Sequence, residues 1–144
     1  MKARVLVLHG PNLNALGSRE PDVYGSTTLA QIDAALRHLA EDLSLDLTIE
    51  QHQGEGELIS AIHRAAAENR AIVINPGAYT HYSYALRDAI AATKLRVVEV
   101  HLSDITRREP WRRVSVLEEV CAHRVLGKGT AGYLEALEWL TAQP

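Results

Sequence analysis

The residues of this sequence that could do chemistry are mainly tyrosine, histidine, arginine and asparagine. Histidine changes its charge near neutral pH and can move a proton. Arginine is always charged, and an asparagine amide can hold an oxygen atom or a carboxylate. The candidates are Asn12, Asn14, Arg19, Tyr24, Asn75, His81, Glu99, His101, Leu102, Ser103 and Arg112. Together they favour proton transfer on a polar, oxygen-rich and anionic ligand.

Motif spacing argues against several other chemistries. No GxGxxG follows the first predicted strand, the Gly-Lys-Gly-Thr at 127–130 lacks the spacing of a phosphate-binding P-loop, and no GxSxG is present. The seven histidines and one cysteine show no structural zinc spacing. None of the three lysines lies at an obvious buried strand end, so imine catalysis is not expected.

Strands and helices alternate along the chain. Short apolar runs predict strands at 4–8, 45–51, 71–74, 96–100 and 120–126. Apolar residues at intervals of three and four predict helices at 28–42, 57–69, 82–92 and 130–141, with Ser26 or Thr27 capping the first. This alternation predicts a doubly wound α/β fold of three layers, with a five-stranded parallel sheet in the order 2-1-3-4-5.

That topology collects the candidate residues at one edge. In doubly wound folds the ligand lies at the carboxyl ends of the strands, where the strand order reverses. Strand 1 leads into a twenty-residue stretch, 8–27, which is interpreted as an active-site floor with Asn12 and Asn14 and a lid from Arg19 to Tyr24. Strands 3 and 4 lead into the other candidates, with arginines in the segment that follows.

Each candidate also has an ordinary structural explanation. Asn12 and Asn75 could be turn residues, because asparagine suits turns. His101 could be a surface histidine, His81 could bond local backbone at a helix start, and Arg112 could be solvated beside a tryptophan. The lid tyrosine could pack its ring on the surface. Their joint placement at one sheet edge is the stronger observation.

Composition limits the other classes of function. The chain has 144 residues, of which 47% are hydrophobic, and we expect one domain spanning 1–144. A net charge of -3 argues against a nucleic-acid surface. The single cysteine, Cys121, excludes a disulfide framework and fits a reducing cytoplasm. No apolar run approaches the roughly 18 residues of a membrane span, and we expect no signal peptide.

Seven motifs together resemble the type II 3-dehydroquinate dehydratases. They are GPNLN at 10–14, REPDVYG at 19–25, EGELI at 55–59, INPGAYTH at 74–81, ALRDA at 85–89, VEVHLS at 98–103 and REPWR at 108–112. The resemblance covers nearly the whole chain. It implies a flavodoxin-like fold and the conversion of 3-dehydroquinate to 3-dehydroshikimate and water. The implied route passes through an enolate, by anti elimination, and needs no metal or cofactor.

The resemblance also implies catalytic roles for single residues. Tyr24 would be the general base that removes a proton from C2, and Arg19 would keep that tyrosine ionisable. His101 would be the general acid that protonates the departing C1 hydroxyl, with Glu99 orienting it. Asn12 would hold a water molecule or the enolate oxygen.

Binding roles follow from the same motifs. Asn75, with the backbone at Leu102 and Ser103, would bind the substrate carboxylate, while His81 and Arg112 would bind its ring hydroxyls. The resemblance further implies a homododecamer built as four trimers, working in the shikimate or quinate pathway. In that assembly Asp88 would reach the site of a neighbouring subunit.

The sequence departs from the family pattern at positions outside the proposed catalytic set. These are His9, Ala15, the run Gln51-His52-Gln53, Asp104, Trp111 and Val116. We expect Asp104 to add negative charge near the carboxylate site. Two alternatives remain: a non-catalytic oligomeric module that binds a small hydroxy acid, and another cofactor-free lyase or isomerase. A flavodoxin-type electron carrier is disfavoured, because GPNLN does not supply a Ser/Thr-rich phosphate loop.

Overall fold

A five-stranded parallel sheet forms the centre of the protein in the computed structural model, which describes residues 2–18, 22 and 26–142. The strands are β1 (Arg4–His9), β2 (Asp46–Gln51), β3 (Ala71–Asn75), β4 (Val97–His101) and β5 (His123–Leu126). Their spatial order is β2-β1-β3-β4-β5, and every neighbouring pair is parallel. The predicted doubly wound topology is therefore confirmed.

Among residues 2–18, 22 and 26–142, four helices of ten or more residues cover the sheet. They are α1 (Leu29–Asp42), α2 (Glu55–Ala67), α3 (Tyr84–Thr93) and α4 (Thr130–Ala142). The cap of α1 is Thr28, not Ser26 or Thr27: its side chain accepts the Gln31 N–H at 3.2 Å, and the Gln31 side chain accepts the Thr28 N–H at 2.9 Å. This reciprocal capping box satisfies two backbone donors at the helix start.

Several element boundaries differ from the predicted ones by one to three residues, and two of these differences have a visible local reason. Helix α2 begins at Glu55 because the Glu57 carboxylate accepts the Gly54 N–H at 3.1 Å, which ends the preceding turn two residues earlier than expected. Strand β5 begins at His123 because Glu118–Val120 forms a turn of 3₁₀ helix. Val120 and Cys121, which the sequence placed in this strand, therefore contact the core from a turn and not from the sheet.

The core is split into two layers by the alternation of side chains along the strands. Val5 and Val7 of β1 pack against α1 and α4, whereas Leu6 and Leu8 pack against α2 and α3. All four side chains are almost completely buried. A strand buried on both faces needs the continuous apolar run seen in the sequence, and the result is a three-layer α/β structure.

The register of the sheet decides which side chains meet at its carboxyl edge. His9 at the end of β1 pairs with Asn75 at the end of β3, and Ile74 pairs with Glu99 of β4. The strand order reverses beside β1, which places a crevice there. Within the described residues, no helix has the length and apolar character needed to cross a membrane.

Candidate active site

A cleft open to solvent lies at the carboxyl ends of β1, β3 and β4, which is the edge at which doubly wound folds bind their ligands. Seven of the residues predicted from sequence line it: Asn12, Asn75, His81, His101, Leu102, Ser103 and Arg112. Arg108, which sequence analysis placed only in the following arginine-rich segment, lines it as well. Residues far apart in the chain therefore meet where the topology predicted.

His101 is oriented by Glu99, two residues earlier on β4. The Nε2–H of His101 donates to Oε2 of Glu99 at 2.6 Å, and both residues are buried. Since this bond occupies Nε2, the ring offers Nδ1 to the cleft that it lines. The imidazole is thus held in one orientation with one working nitrogen.

Glu99 is held in turn by two hydroxyl groups. The Thr80 hydroxyl donates to Oε2 of Glu99, and the Ser115 hydroxyl lies 2.9 Å from both carboxylate oxygens. Burial alone would raise the pKa of the Glu99 carboxyl, but the hydrogen bonds from His101, Thr80 and Ser115 and the charge of His101 outweigh it, and the pKa lies below its usual range. Glu99 therefore stays ionised beneath the histidine.

His81 presents a hydrogen-bond acceptor to the cleft. Its Nδ1–H donates to the Val114 carbonyl at 2.7 Å, so the neutral ring keeps Nε2 as an acceptor. Burial, together with the nearby His101 and Arg112, holds the pKa of His81 below its usual range, despite the opposing bond to Val114. A neutral imidazole with a fixed tautomer is suited to accept a hydrogen bond from a hydroxyl group.

Arg112 is fixed from two sides. Its guanidinium carbon lies 4.0 Å from the centre of the Trp111 ring, and its Nε donates to Glu109 at 2.7 Å. Stacking and the ion pair restrict the side chain before any ligand arrives, which lowers the ordering cost of binding. Trp111, noted above as a departure, thus takes part in positioning a cleft arginine.

Asn12 occupies a strained backbone position that is supported by a side chain from the segment just after β2. Its φ of 69° lies in the left-handed region, which asparagine tolerates better than most residues. The Gln53 side chain accepts the Asn12 N–H at 2.8 Å and donates to Oδ1 of Asn14 at the same distance. Gln51 adds a bond to the Gly10 carbonyl at 3.0 Å. Gln53, one of the sequence departures, therefore braces the floor of the site.

The backbone carbonyl groups at the end of β4 and in the turn after it accept hydrogen bonds from the segment that follows β5. The Gly127 N–H donates to the carbonyls of His101 and Ser103, and the Gly129 N–H donates to that of Leu102. With these acceptors occupied, the backbone groups that Leu102 and Ser103 can offer a ligand are N–H donors. Gly127 has a φ of +73°, and a side chain there would crowd Asp104.

Glu99 lies buried behind this cleft, and three other residues considered in the sequence analysis do not line it either. Asn14 is exposed and bonded to Gln53, and Asp88 is exposed on α3. Asp104 does not line the cleft either: its carboxylate caps the next turn by accepting the Thr106 N–H at 3.0 Å. Hydrogen bonds from Thr106 and nearby arginines hold the pKa of Asp104 below its usual value. Tyr24 and Arg19 of the predicted lid lie outside the described residues.

Sequence reasoning missed the residues that act behind the cleft. They are Thr80 and Ser115 behind Glu99, Gln53 behind Asn12, and His9 and Tyr133 behind Asn75. Thr80 carried a signal, because it lies inside the INPGAYTH motif, but Ser115 and Tyr133 sit in unremarkable contexts. In the part of the chain that the structure describes, no three His, Cys, Asp or Glu side chains are grouped to hold a metal ion.

Known proteins are similar to this chain in sequence and in architecture. The profile of the family described as dehydroquinase class II matches residues 3–141. The 3-dehydroquinate dehydratase of Pelotomaculum thermopropionicum is 52% identical over 134 residues, which is 93% of each chain. That of Bacillus subtilis is 49% identical over 138 residues, or 96% of this chain and 93% of the relative.

Solved structures agree with the sequence matches. The type II dehydroquinase of Butyrivibrio crossotus superposes with a TM-score of 0.95 at 39% identity, covering 96% of this chain and 97% of that one. The type II dehydroquinase of Propionibacterium acnes has the same TM-score and identity and covers 99% of both chains. The flavodoxin-like fold expected from the sequence is thus confirmed, and the chain belongs to the class II dehydroquinase family.

Proposed function

We propose that this protein dehydrates 3-dehydroquinate to 3-dehydroshikimate by anti elimination through an enolate. The observation that carries the proposal is the His101–Glu99 pair, buried at the floor of a cleft lined by arginine, asparagine and a neutral histidine. Two relatives that align over 93% of their length, at 52% and 49% sequence identity, are named for this activity. The reaction needs a base, an acid and donors for a developing negative charge.

The acid step is assigned to His101. A proton on Nδ1 is transferred to the C1 hydroxyl as its bond to carbon breaks, and water leaves. Hydroxide alone is a poor leaving group, so this protonation lowers the barrier. Glu99 accepts the other N–H and stabilises the imidazolium before transfer, in the way that a carboxylate orients a catalytic histidine.

The base step is assigned to Tyr24, assisted by Arg19, as the family resemblance implies. A phenolate removes the C2 proton, the electron pair passes to the C3 carbonyl, and Asn12 holds the resulting enolate oxygen. Collapse of the enolate forms the C1–C2 double bond and expels the protonated hydroxyl. A tyrosine with a pKa of about 10 is a weak base at neutral pH, and an arginine partner favours its phenolate.

Binding roles follow from the donors and acceptors of the cleft. We assign the carboxylate to Asn75 and the backbone N–H groups of Leu102 and Ser103, whose carbonyls are bonded elsewhere. The ring hydroxyls are assigned to His81 and Arg112. Nε2 of His81 accepts from one hydroxyl because its Nδ1–H is committed to a backbone carbonyl.

The proposal extends to the assembly and its setting. Asp88 is exposed on α3, one turn after Tyr84 at the start of that helix, and Tyr82 and Tyr84 are 59% and 67% exposed although large and hydrophobic. Such exposure around the start of a helix is consistent with a subunit contact. We place the enzyme in the cytoplasm, in the shikimate or quinate pathway, as a dodecamer of four trimers. Analytical ultracentrifugation tests the assembly: a monomer at micromolar concentration would contradict it.

The decisive test of the reaction is formation of the conjugated enone acid from 3-dehydroquinate, followed by its ultraviolet absorbance. The assay is run on chelator-treated protein and repeated after borohydride with substrate present. Turnover that survives both treatments supports a metal-free route without an imine. Binding without turnover would instead favour the non-catalytic module, and turnover of other hydroxy acids alone would favour a different lyase.

Deuterium exchange separates the enolate step from loss of water. In D₂O a His101→Ala variant should exchange the C2 proton of 3-dehydroquinate while dehydrating slowly, because Tyr24 still forms the enolate. NMR of the recovered substrate measures this exchange. Absence of exchange in a folded variant that retains substrate binding would contradict the stepwise order.

A further inference from the structure

A line of buried polar side chains runs beneath the cleft and ends at Asn75. His9, at the end of β1, is fully buried; its Nε2 lies 2.7 Å from Oδ1 of Asp33 on α1, and its Nδ1 lies 3.1 Å from the Tyr133 hydroxyl on α4. Tyr133 is also fully buried, and the Asn75 side chain lies close enough to its hydroxyl to lower the pKa of that hydroxyl as a donor. The reaction assigned above uses Asn75 but none of the three residues behind it.

The chemistry of each group sets the direction of the next bond. A carboxylate only accepts, so Nε2–H of His9 donates to Asp33 and the neutral ring keeps Nδ1 as an acceptor. Burial raises the pKa of the Tyr133 hydroxyl, against the opposing hydrogen bond from Asn75, so the hydroxyl keeps its proton and donates it to Nδ1. The Tyr133 oxygen then accepts from Nδ2–H of Asn75.

The two ends of the Asn75 amide are therefore distinguished. Its Oδ1 accepts the Gly77 N–H at 3.1 Å, which leaves Nδ2 as the group that can donate to the nearby Tyr133 oxygen. The backbone is fixed independently, because the Asn75 carbonyl accepts the Gly10 N–H at 2.7 Å and the residue pairs with His9 across the sheet. The group left for a ligand in the cleft is the second N–H of Nδ2.

We propose that Asp33, His9 and Tyr133 are positioning residues that fix the Asn75 amide as a hydrogen-bond donor to an anionic group of the ligand. A flipped amide would turn its oxygen toward the anion and leave the Gly77 N–H facing an NH₂ group. An unpaired buried donor is costly, so the line of bonds selects one orientation. The inference rests on the proposed function only in taking that anionic group to be the substrate carboxylate.

The central variant is Tyr133→Phe, which removes the hydroxyl and keeps the ring, and its control is Thr141→Val, which removes a hydroxyl that donates to the Glu138 carbonyl on the same helix and does not line the cleft. We expect Tyr133→Phe to weaken binding of quinate about three- to thirtyfold, leaving quinamide, the uncharged carboxamide analogue, nearly unaffected. In turnover, KM for 3-dehydroquinate should rise more than kcat falls. The control should change neither. Equal weakening for both ligands would show a merely structural role and overturn the proposal.

A second readout does not depend on the reaction. In ¹⁵N-histidine NMR of the wild-type protein, His9 should be the tautomer protonated at Nε2 with Nδ1 as acceptor. A proton on Nδ1 would reverse the direction of the hydrogen bond between His9 and Tyr133 and overturn the proposal. This result does not depend on whether the protein turns over 3-dehydroquinate. If Tyr133→Phe does not fold, Asp33→Ala replaces it, because the Asp33 side chain is 26% exposed. In this variant both neutral tautomers of His9 should be populated, and the preference for quinate over quinamide should fall. An unchanged tautomer and an unchanged preference would contradict the inference.

Discussion

Replacing Glu99 with glutamine removes the charge behind His101 and keeps the shape of the side chain. An amide oxygen in place of Oε2 can still accept from His101 and from the Thr80 hydroxyl. The amide nitrogen then faces Ser115, whose hydroxyl lies 2.9 Å away and can rotate to accept. We therefore expect the Glu99→Gln variant to fold and to bind substrate.

The loss of activity in Glu99→Gln should appear in kcat. A hydrogen bond to a charged partner is worth about 1.5–3 kcal/mol, against about 1 kcal/mol for a neutral one. Because Glu99 is fully buried, solvent does not screen its interaction with the imidazolium. At about 1.4 kcal/mol for each tenfold change in rate, we expect kcat to fall about tenfold to a hundredfold, with KM little changed.

The assay is the initial rate of enone formation from 3-dehydroquinate at neutral pH. The matched control is Glu135→Gln, which removes a carboxylate of the same size from a surface ion pair with Lys128 at 2.6 Å. Exposed pairs contribute little, so the control should keep wild-type kcat. A folded Glu99→Gln variant with kcat within twofold of wild type would refute the assigned role of the carboxylate.

Three further predictions follow from the same site. Tyr24→Phe should remove most turnover while ligand affinity, measured by calorimetry, stays similar; full activity would refute the assigned base. Gln53→Ala removes the brace of the Asn12 N–H, and we expect a several-fold loss in kcat/KM, whereas His52→Gln beside it should be nearly silent. The pKa of Glu99 is lowered on folding from about 4.5, so its contribution to stability is present above that pH and lost below it. Urea unfolding midpoints of wild type and Glu99→Gln should therefore converge as the pH falls below about 4.5, and a constant difference would contradict the linkage.

The sheet and the front of the site could be predicted because they follow from local patterns and a topological rule. Apolar runs marked the strands, and right-handed crossovers left few possible strand orders. The carboxyl ends then had to share an edge, which brought Asn75, His81 and His101 together. Asn75 and His101 are the last residues of β3 and β4, so their placement needed no knowledge of loop structure.

The support behind the site could not be predicted because it depends on contacts between segments that are far apart in the chain. Ser115 reaches Glu99 from a loop sixteen residues later, and Tyr133 meets His9 across 124 residues. Nothing in a single serine or tyrosine indicates such a partner. The helix cap at Thr28 shows the same limit on a smaller scale, since three neighbouring hydroxyl residues could each have served and backbone geometry chose one.

The most direct test of the account compares enone formation from 3-dehydroquinate by the wild-type protein and by His101→Ala, with both proteins shown to be folded. We predict steady turnover by the wild type and loss of most of it in the variant, because the hydroxyl then leaves without a proton donor. No turnover by folded wild-type protein would contradict the proposed reaction. An equal rate in the two proteins would contradict the proposed acid.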